Sequence, residues 1–335
     1  MKGRAIVVVD RGKVEIRAIE PRPVGEWDIK VELEHSAISA GTESYVLSQP
    51  GGDREVIPGY APVGRVVEAG AEAAALFSVG DVVSYFSPDA PVGGPAMSCG
   101  GHQSPAVLNV DPRKRDLRGP DQFCLKVPAE LSTDHAAFGG IAAVSSMGAT
   151  MPDPKPGDRA LVVGQGVIGL FATQHLRLLG AEVAVADTLP GRLEIAARCG
   201  ADHLIDAEDA DTAQALRDIW PEGADIVVDS TGSCRVIEAA VPAVRRRGKF
   251  VFLGWCKGKL AIENFHHQRV FQAYFPWTLE GERVLHSWRM ILQGGIRVEP
   301  VITHRMKVED AQRAYDMIRE RPGECLGVVL DWRQQ

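Results

Sequence analysis

Ala160-Leu161-Val162-Val163-Gly164-Gln165-Gly166-Val167-Ile168-Gly169-Leu170 is the stretch that decides the fold. Four apolar residues read as a strand buried on both faces, the strand ends on Gly164, and an apolar helix begins after Gly166. A lone G-x-G-x-x-G is a weak signal, but a strand before it and a helix after it give the context that a dinucleotide fingerprint requires. The first glycine permits the tight turn, the second lets backbone approach a pyrophosphate, and the third lets helix and strand pack closely. The helix N-terminus adds free N–H groups and a positive dipole end. Gly164, Gln165, Gly166, Val167, Ile168 and Gly169 are therefore expected at the cofactor. Asp187 ends the next strand, 18 residues beyond Gly169. A carboxylate there accepts from the ribose hydroxyls and repels a 2′-phosphate, which selects NAD over NADP. Arg192, one turn on, is also within reach of the ribose and leaves some room for NADP. The competing reading, a doubly wound domain with a glycine turn and no cofactor, has turn, helix and acid against it.

Strands and helices alternate outward from this turn. Glu182–Ala186, His203–Ile205, Ile226–Asp229 and Phe250–Leu253 read as strands, and Arg192–Arg198, Ala213–Ile219 and Arg235–Val244 as helices. That alternation predicts an α/β fold with a parallel sheet wound on both faces. Ligands of such sheets lie at the carboxyl ends of strands, so Ser230, Thr231, Leu253, Gly254 and Trp255, in two strand-end loops, are further expected cofactor contacts; the alternative is ordinary turns. Val270 to Tyr274 reads as a last, apolar edge strand. Uncovered edges invite pairing, which predicts a homodimer. Arg245-Arg246-Arg247 reads as the polar end of the preceding helix.

Residues 1–125 read as strand-rich and irregular, with Ala5–Val9, Val14–Ile19, Ile29–Ile38 and Gly64–Glu68 as strands and a long Pro/Gly-rich loop from about Ser87 to Leu117. A small-residue helix, Ala136–Ala149, leads into the alternating region. The tail offers a helix (Glu282–Leu292), a strand (Val298–Ile302), a helix (Val308–Ile318) and a strand (Leu326–Leu330). About 55 residues make a marginal core alone, so the tail is expected to fold onto the first domain. The expected division is 1–135 with 281–335 as one domain and 136–280 as the other. The chain has 335 residues, 45% hydrophobic and 24% charged, with a formal net charge of −7. This is a globular composition, and the acidic balance argues against a nucleic-acid partner. The N-terminus offers only Ala5 to Val9 before Asp10, too short for a signal h-region, and the longest weakly apolar stretch, Ala136 to Met151, falls short of a membrane span. Six scattered cysteines form no C-x-x-C pair, so neither a disulfide framework nor a zinc knuckle is read, and a cytoplasmic setting is expected.

Further motifs extend the reading to nearly the whole chain: Ser39-Ala40-Gly41-Thr42-Glu43, Pro58-Gly59-Tyr60-Ala61-Pro62-Val63-Gly64, Gly80-Asp81-Val82-Val83, Pro156-Gly157-Asp158 and Val301-Ile302-Thr303-His304. Together with the glycine turn, these resemble the medium-chain dehydrogenase/reductase superfamily, which includes the zinc alcohol dehydrogenases. The resemblance implies a GroES-like strand-rich catalytic domain, a Rossmann domain, and an active site in the cleft between them. It also implies a departure. Zinc members carry cysteine where Ala40 stands, His-Glu where Tyr60-Ala61 stand, and another cysteine near Gly139. Alanine and glycine offer zinc no ligand, and Cys99 stands alone where zinc members have a four-cysteine lobe. The Gly-Thr-Glu and Pro-Gly-Tyr variants most resemble the zinc-free branch around hydroxyethyl bacteriochlorophyllide a dehydrogenase.

Hydride transfer at an alcohol carbon also moves a proton at its oxygen, and without metal that oxygen needs donors and an acid/base. By resemblance, Thr42 is the hydroxyl that touches the substrate oxygen, or else a helix N-cap. Tyr60 stands at the lost histidine position and offers a phenol, or fills the vacated volume. Glu43 resembles an acid behind the metal site and reads mainly as structural. Tyr45 lies at a proton-relay position. Histidine as a type changes charge near neutral pH, which makes His102 a candidate, though a lone histidine is more often surface or core. His266-His267 either line the cleft or cap an element, and Tyr85, Phe86 and Trp277 are substrate walls or ordinary core. The expected activity is zinc-independent, NAD(H)-dependent interconversion of a secondary alcohol and a ketone, with a small-molecule substrate. The rivals are an NADPH-dependent quinone or enoyl-type reductase and a non-catalytic NAD(H)-binding protein.

Overall fold

The structure is a computed structural model that describes residues 3–49, 55–117, 123–208, 210–261, 271–276 and 279–333. Val270, His266, His267 and Trp277 lie outside the described residues. The chain divides into two compact units. One comprises Met1–Ile141, Leu279–Leu292 and Ile302–Gln335, the other Ala142–Thr278 and Gln293–Val301.

The second unit is an α/β layer structure around a six-stranded, all-parallel sheet. Its strand order is His203–Asp206, Glu182–Asp187, Arg159–Val163, Ala224–Asp229, Val244–Phe252, Gln272–Tyr274. Ala160 to Val163 are buried without alternation, because helices cover both faces of a parallel sheet. Order reverses between Arg159–Val163 and Ala224–Asp229. Such a switch point opens a crevice at the carboxyl ends of the two strands. The segment Gln293–Val301 belongs here because the Gln174 side chain pairs with the Arg297 backbone in both directions: it donates to the carbonyl at 3.2 Å and accepts from the N–H at 2.7 Å.

Three readings of the sequence are corrected. The arginine run does not end a helix. The helix Cys234–Ala240 stops earlier, and Arg245 to Arg247 lie in the strand Val244–Phe252, where Arg245 pairs with Asp225. The register slips across this strand pair, and Arg247 takes a left-handed φ of 61°, so the charges leave the buried face. Next, the tail strand is Ile302–Lys307, with Val298 to Val301 preceding it as turn. Last, the entry helix is two helices, Thr133–Ala137 and Gly139–Thr150.

The first unit holds two strand-rich sheets. In one, Gly3–Asp10 is flanked by Lys13–Ile19 and Val56–Ile57. In the other, Asp28–Ala37 and Pro62–Ala69 pair antiparallel, and the tail strand Gly327–Asp331 pairs with the far edge of Asp28–Ala37. Tyr315, on the tail helix Ala311–Glu320, joins the core of this unit, and so reaches the residues described next.

Candidate functional site

In the second unit the glycine turn has the shape the sequence required. Gly164 has φ +86°, and a Cβ there would meet Thr231 Cγ2 at 2.6 Å; at Gly169 a Cβ would meet the Gly164 carbonyl at 1.9 Å. A Cβ on Gly166 would meet nothing within 4 Å. Two glycines thus close the turn on itself, and the middle one leaves open space beside the first turn of the helix Val167–Leu178. That is the space a pyrophosphate needs, so these residues fit a dinucleotide.

Asp187 is buried, and its orientation is fixed by two backbone donors, Gln165 N–H at 2.6 Å and Leu189 N–H at 2.9 Å. Arg192 Nη1 lies 3.8 Å from the same carboxylate. Several expected contacts are engaged elsewhere. Gln165 is fully buried, its amide donating to the Val162 and Gly164 carbonyls and accepting from Thr173, and its N–H is held by Asp187. Ser230 Oγ donates to the Gly164 carbonyl at 2.8 Å and Thr231 Oγ1 to Asp229 at 2.6 Å. These side chains build the turns. Leu253 and Gly254 both donate their N–H groups to the Asp229 carbonyl, and Trp255 is 47% exposed beside them, with Lys257 Nζ 4.4 Å from its ring centroid.

In the first unit, the residues read as acid/base candidates converge around the helix Ala40–Ser48. Its N-cap is Ser39, so Thr42 is not the cap; it sits part-exposed in the first turn, and Tyr45 lies half-buried one turn on. Glu43 is 1% exposed. It accepts from Ser39 N–H at 2.7 Å and from the Tyr315 hydroxyl at 2.6 Å, and its Oε2 lies 3.0 Å from His102 Nε2. The other ring nitrogen of His102 meets Ser36 Oγ at 2.9 Å, and Ser36 accepts from Trp332 Nε1 at 2.8 Å. His102 is fully buried and stacks on Trp332. Glu43 and His102 therefore form an internal, fully partnered pair, which removes them from direct contact with a substrate.

Tyr60 is joined to this network through a residue the sequence reading did not single out. Ser39 Oγ donates to the Tyr60 oxygen at 2.9 Å. Burial is the main force pushing the Tyr60 phenol upward, with the Glu43 charge adding to it and the Ser39 bond opposing it. The group therefore stays neutral at ordinary pH, hydrogen-bonded to Ser39. Gly59 makes this placement possible. It has φ +92°, and a Cβ would fall 2.5 Å from the His102 ring. Phe86 packs edge-on against Tyr60, and Phe123 stacks on Phe86. Both phenylalanines also line a largely apolar cavity of about 500 Å³. Tyr85 is fully buried core rather than wall. Ser39 stood in the quoted Ser39-Ala40-Gly41 motif, whereas nothing local marked Ser36, Tyr315 or Trp332.

The donor set does not fit a zinc ion. Ala40 and Ala61 bring no ligand atom, and Gly139 lies against the buried Trp288, whose Nε1 would be 2.1 Å from a Cβ. Glu43 and His102 are already occupied. Among the described residues no three His, Cys, Asp or Glu side chains cluster as a metal site.

Comparison with known proteins finds dehydrogenases. Residues 167–290 match the family described as zinc-binding dehydrogenase, a span that contains none of positions 40, 60, 61 and 139. The chain is 26% identical to L-threonine 3-dehydrogenase of Coxiella burnetii over an alignment of 345 positions, covering 95% of each protein. Similarity to a dehydrogenase thus runs over nearly the whole chain. Among solved structures, a zinc-binding dehydrogenase of Sinorhizobium meliloti, described as putative and bound to NADP, superposes with TM-score 0.83 at 21% identity, covering 99% of this chain and 100% of that one. A protein of Escherichia coli described as a short chain alcohol dehydrogenase, complexed with NADH, gives TM-score 0.82 at 18% identity over 99% of each chain. The chain thus shares the fold of these two structures, one of which holds NADP and the other NADH. Among its described residues no helix is long and apolar enough to cross a membrane.

Proposed function

We propose that this protein is a zinc-independent, NAD(H)-dependent oxidoreductase interconverting a secondary alcohol and a ketone, with Tyr60 in the role that the metal has in zinc relatives. The observation that carries the reading is the Ser39–Tyr60 hydrogen bond, which anchors a neutral phenol to the helix bearing Thr42. A bound nicotinamide supplies or accepts the hydride. Gly166 leaves the pyrophosphate its space, and Asp187 presents its carboxylate to the ribose hydroxyls. Tyr60 donates to the substrate oxygen, where a positioned donor stabilises the negative charge that builds as a ketone is reduced. Thr42, with Tyr45 one turn behind it, offers the second hydroxyl. Ser39 holds the phenol in place, and Phe86 and Phe123 furnish apolar walls for a small-molecule substrate. The metal-free assignment, and with it the finer resemblance to the bacteriochlorophyllide dehydrogenase branch, rests on the variants at positions 40–43 and 58–61.

The test is transfer of deuterium from 4-deuterated NADH to the carbinol carbon of a product alcohol across a panel of ketones. Label is expected on one face only, and far more slowly from NADPH. Transfer from NADPH to an activated carbon–carbon double bond instead would favour the reductase reading, which Arg192 beside Asp187 keeps in view. Binding of NADH without transfer to any acceptor would leave the non-catalytic reading.

The setting we propose is the cytoplasm and the state a homodimer, paired through the edge strand Gln272–Tyr274, next to which Phe275 is 66% exposed. Light scattering at micromolar concentration should give twice the chain mass; the mass of a single chain would overturn this part.

A further inference from the structure

Two cysteines that the sequence reading treated as scattered meet at the ends of neighbouring strands. Cys234 begins the helix Cys234–Ala240, after the loop that follows the strand Ala224–Asp229. Cys256 follows Gly254-Trp255, after the strand Val244–Phe252. Their sulfurs lie 2.9 Å apart, and neither residue is fully buried. The approach is built into the backbone. Asp229 holds both loops: its carboxylate accepts from Thr231 and Gly232 N–H, and its carbonyl accepts from Leu253 and Gly254 N–H. The loops touch where a Cβ on Gly254 would fall 2.2 Å from the Gly232 nitrogen, and a Cβ on Gly258 would fall 2.6 Å from the Cys234 sulfur. Backbone and glycines therefore bring the thiols together without help from a bond between them.

We infer that Cys234 and Cys256 form a redox-active dithiol, a site of reversible disulfide formation that clamps the two loops together. A disulfide is about 2 Å long, so closure moves the sulfurs by about 1 Å, a small shift for two part-exposed side chains. The oxidant is a small-molecule disulfide. One protein thiolate attacks it, forming a mixed disulfide and releasing one small thiol. The second protein thiolate then attacks the protein sulfur of that mixed disulfide and releases the other small thiol. Two electrons pass from the protein to the oxidant, and the two protons lost by the cysteines end on the released thiols. Because the loops include Gly254 and Trp255, the bridge also stiffens one side of the proposed cofactor site; that consequence rests on the functional reading above, whereas the bridge itself does not.

The experiment exposes the full chain to glutathione disulfide and maps peptides by mass spectrometry, with NADH titration of the reduced and oxidised protein alongside. The expected result is a chain lighter by two hydrogens, one linked peptide pair joining Cys234 to Cys256, and a severalfold change in NADH affinity that dithiothreitol reverses. Cys234→Ser should instead stop at one glutathione adduct on Cys256. Glutathione adducts persisting on both cysteines of the unmodified chain, or linkage through Cys99 or Cys124, would overturn the assignment. Bridge formation in a protein that never binds NADH would overturn the cofactor reading and leave the dithiol assigned.

Discussion

Tyr60→Phe is expected to lower turnover by about 10²- to 10⁴-fold, the usual cost of losing a positioned general acid, while NADH affinity stays nearly unchanged. The ring is kept, so the edge contact with Phe86 and the 8% exposure of the site should survive. Only the oxygen is lost, and with it the bond from Ser39 and the proton offered to the substrate. The cofactor-binding residues proposed above all belong to the second unit, so a cofactor titration separates the two effects. Steady-state kinetics on a ketone that accepts label, set beside an NADH titration of the same preparation, reads both. Near-normal turnover would make the phenol space-filling and send the search for the proton to Thr42 and Tyr45.

Glu43→Ala is the variant with the largest expected effect on stability, a loss of about 3–5 kcal/mol. The carboxylate is the common acceptor for Ser39 N–H and the Tyr315 hydroxyl and faces His102 Nε2. Alanine leaves those groups in a site from which water is excluded, since Glu43, His102 and Tyr315 are 1%, 0% and 3% exposed. An unmet buried donor costs about 1–3 kcal/mol, so two such groups with the neutral Tyr315 among them suffice for the figure. Calorimetry should show the first unit melting early. A loss under about 1 kcal/mol would mean that the network is loosely held and that Ser39 is not anchored through it.

The two halves of the chain were unequally legible for physical reasons. The glycine turn, its strand and its helix are contiguous, so period, turn chemistry and the acid at Asp187 agree within about one βαβ unit. The first unit is stitched from strands as short as Val56–Ile57, Ala96–Met97 and Gln103–Ser104, too short to show an alternation. Arg245 to Arg247 misled because a charged run normally marks a solvated helix end, whereas here a register slip and a left-handed Arg247 carry it along a strand. At the candidate site, Thr42 and Tyr60 were named from motifs. Glu43 and His102 were named as well, but their pairing was not, because Glu43 meets His102 across 59 residues and Tyr315 across 272. No local pattern encodes such pairings. Gln165 shows the reverse case: its place in the motif was plain, but its side chain points inward to Thr173 and the turn carbonyls.

The central claim is that a phenol, and not a metal, meets the substrate oxygen. The most direct measurement is deuterium transfer from 4-deuterated NADH to a ketone by protein dialysed exhaustively against a chelator, with zinc determined on the same sample by elemental analysis. The account predicts undiminished, one-faced transfer at far less than one zinc per chain. About one zinc per chain before dialysis, with transfer lost on chelation and restored by added zinc, would contradict it.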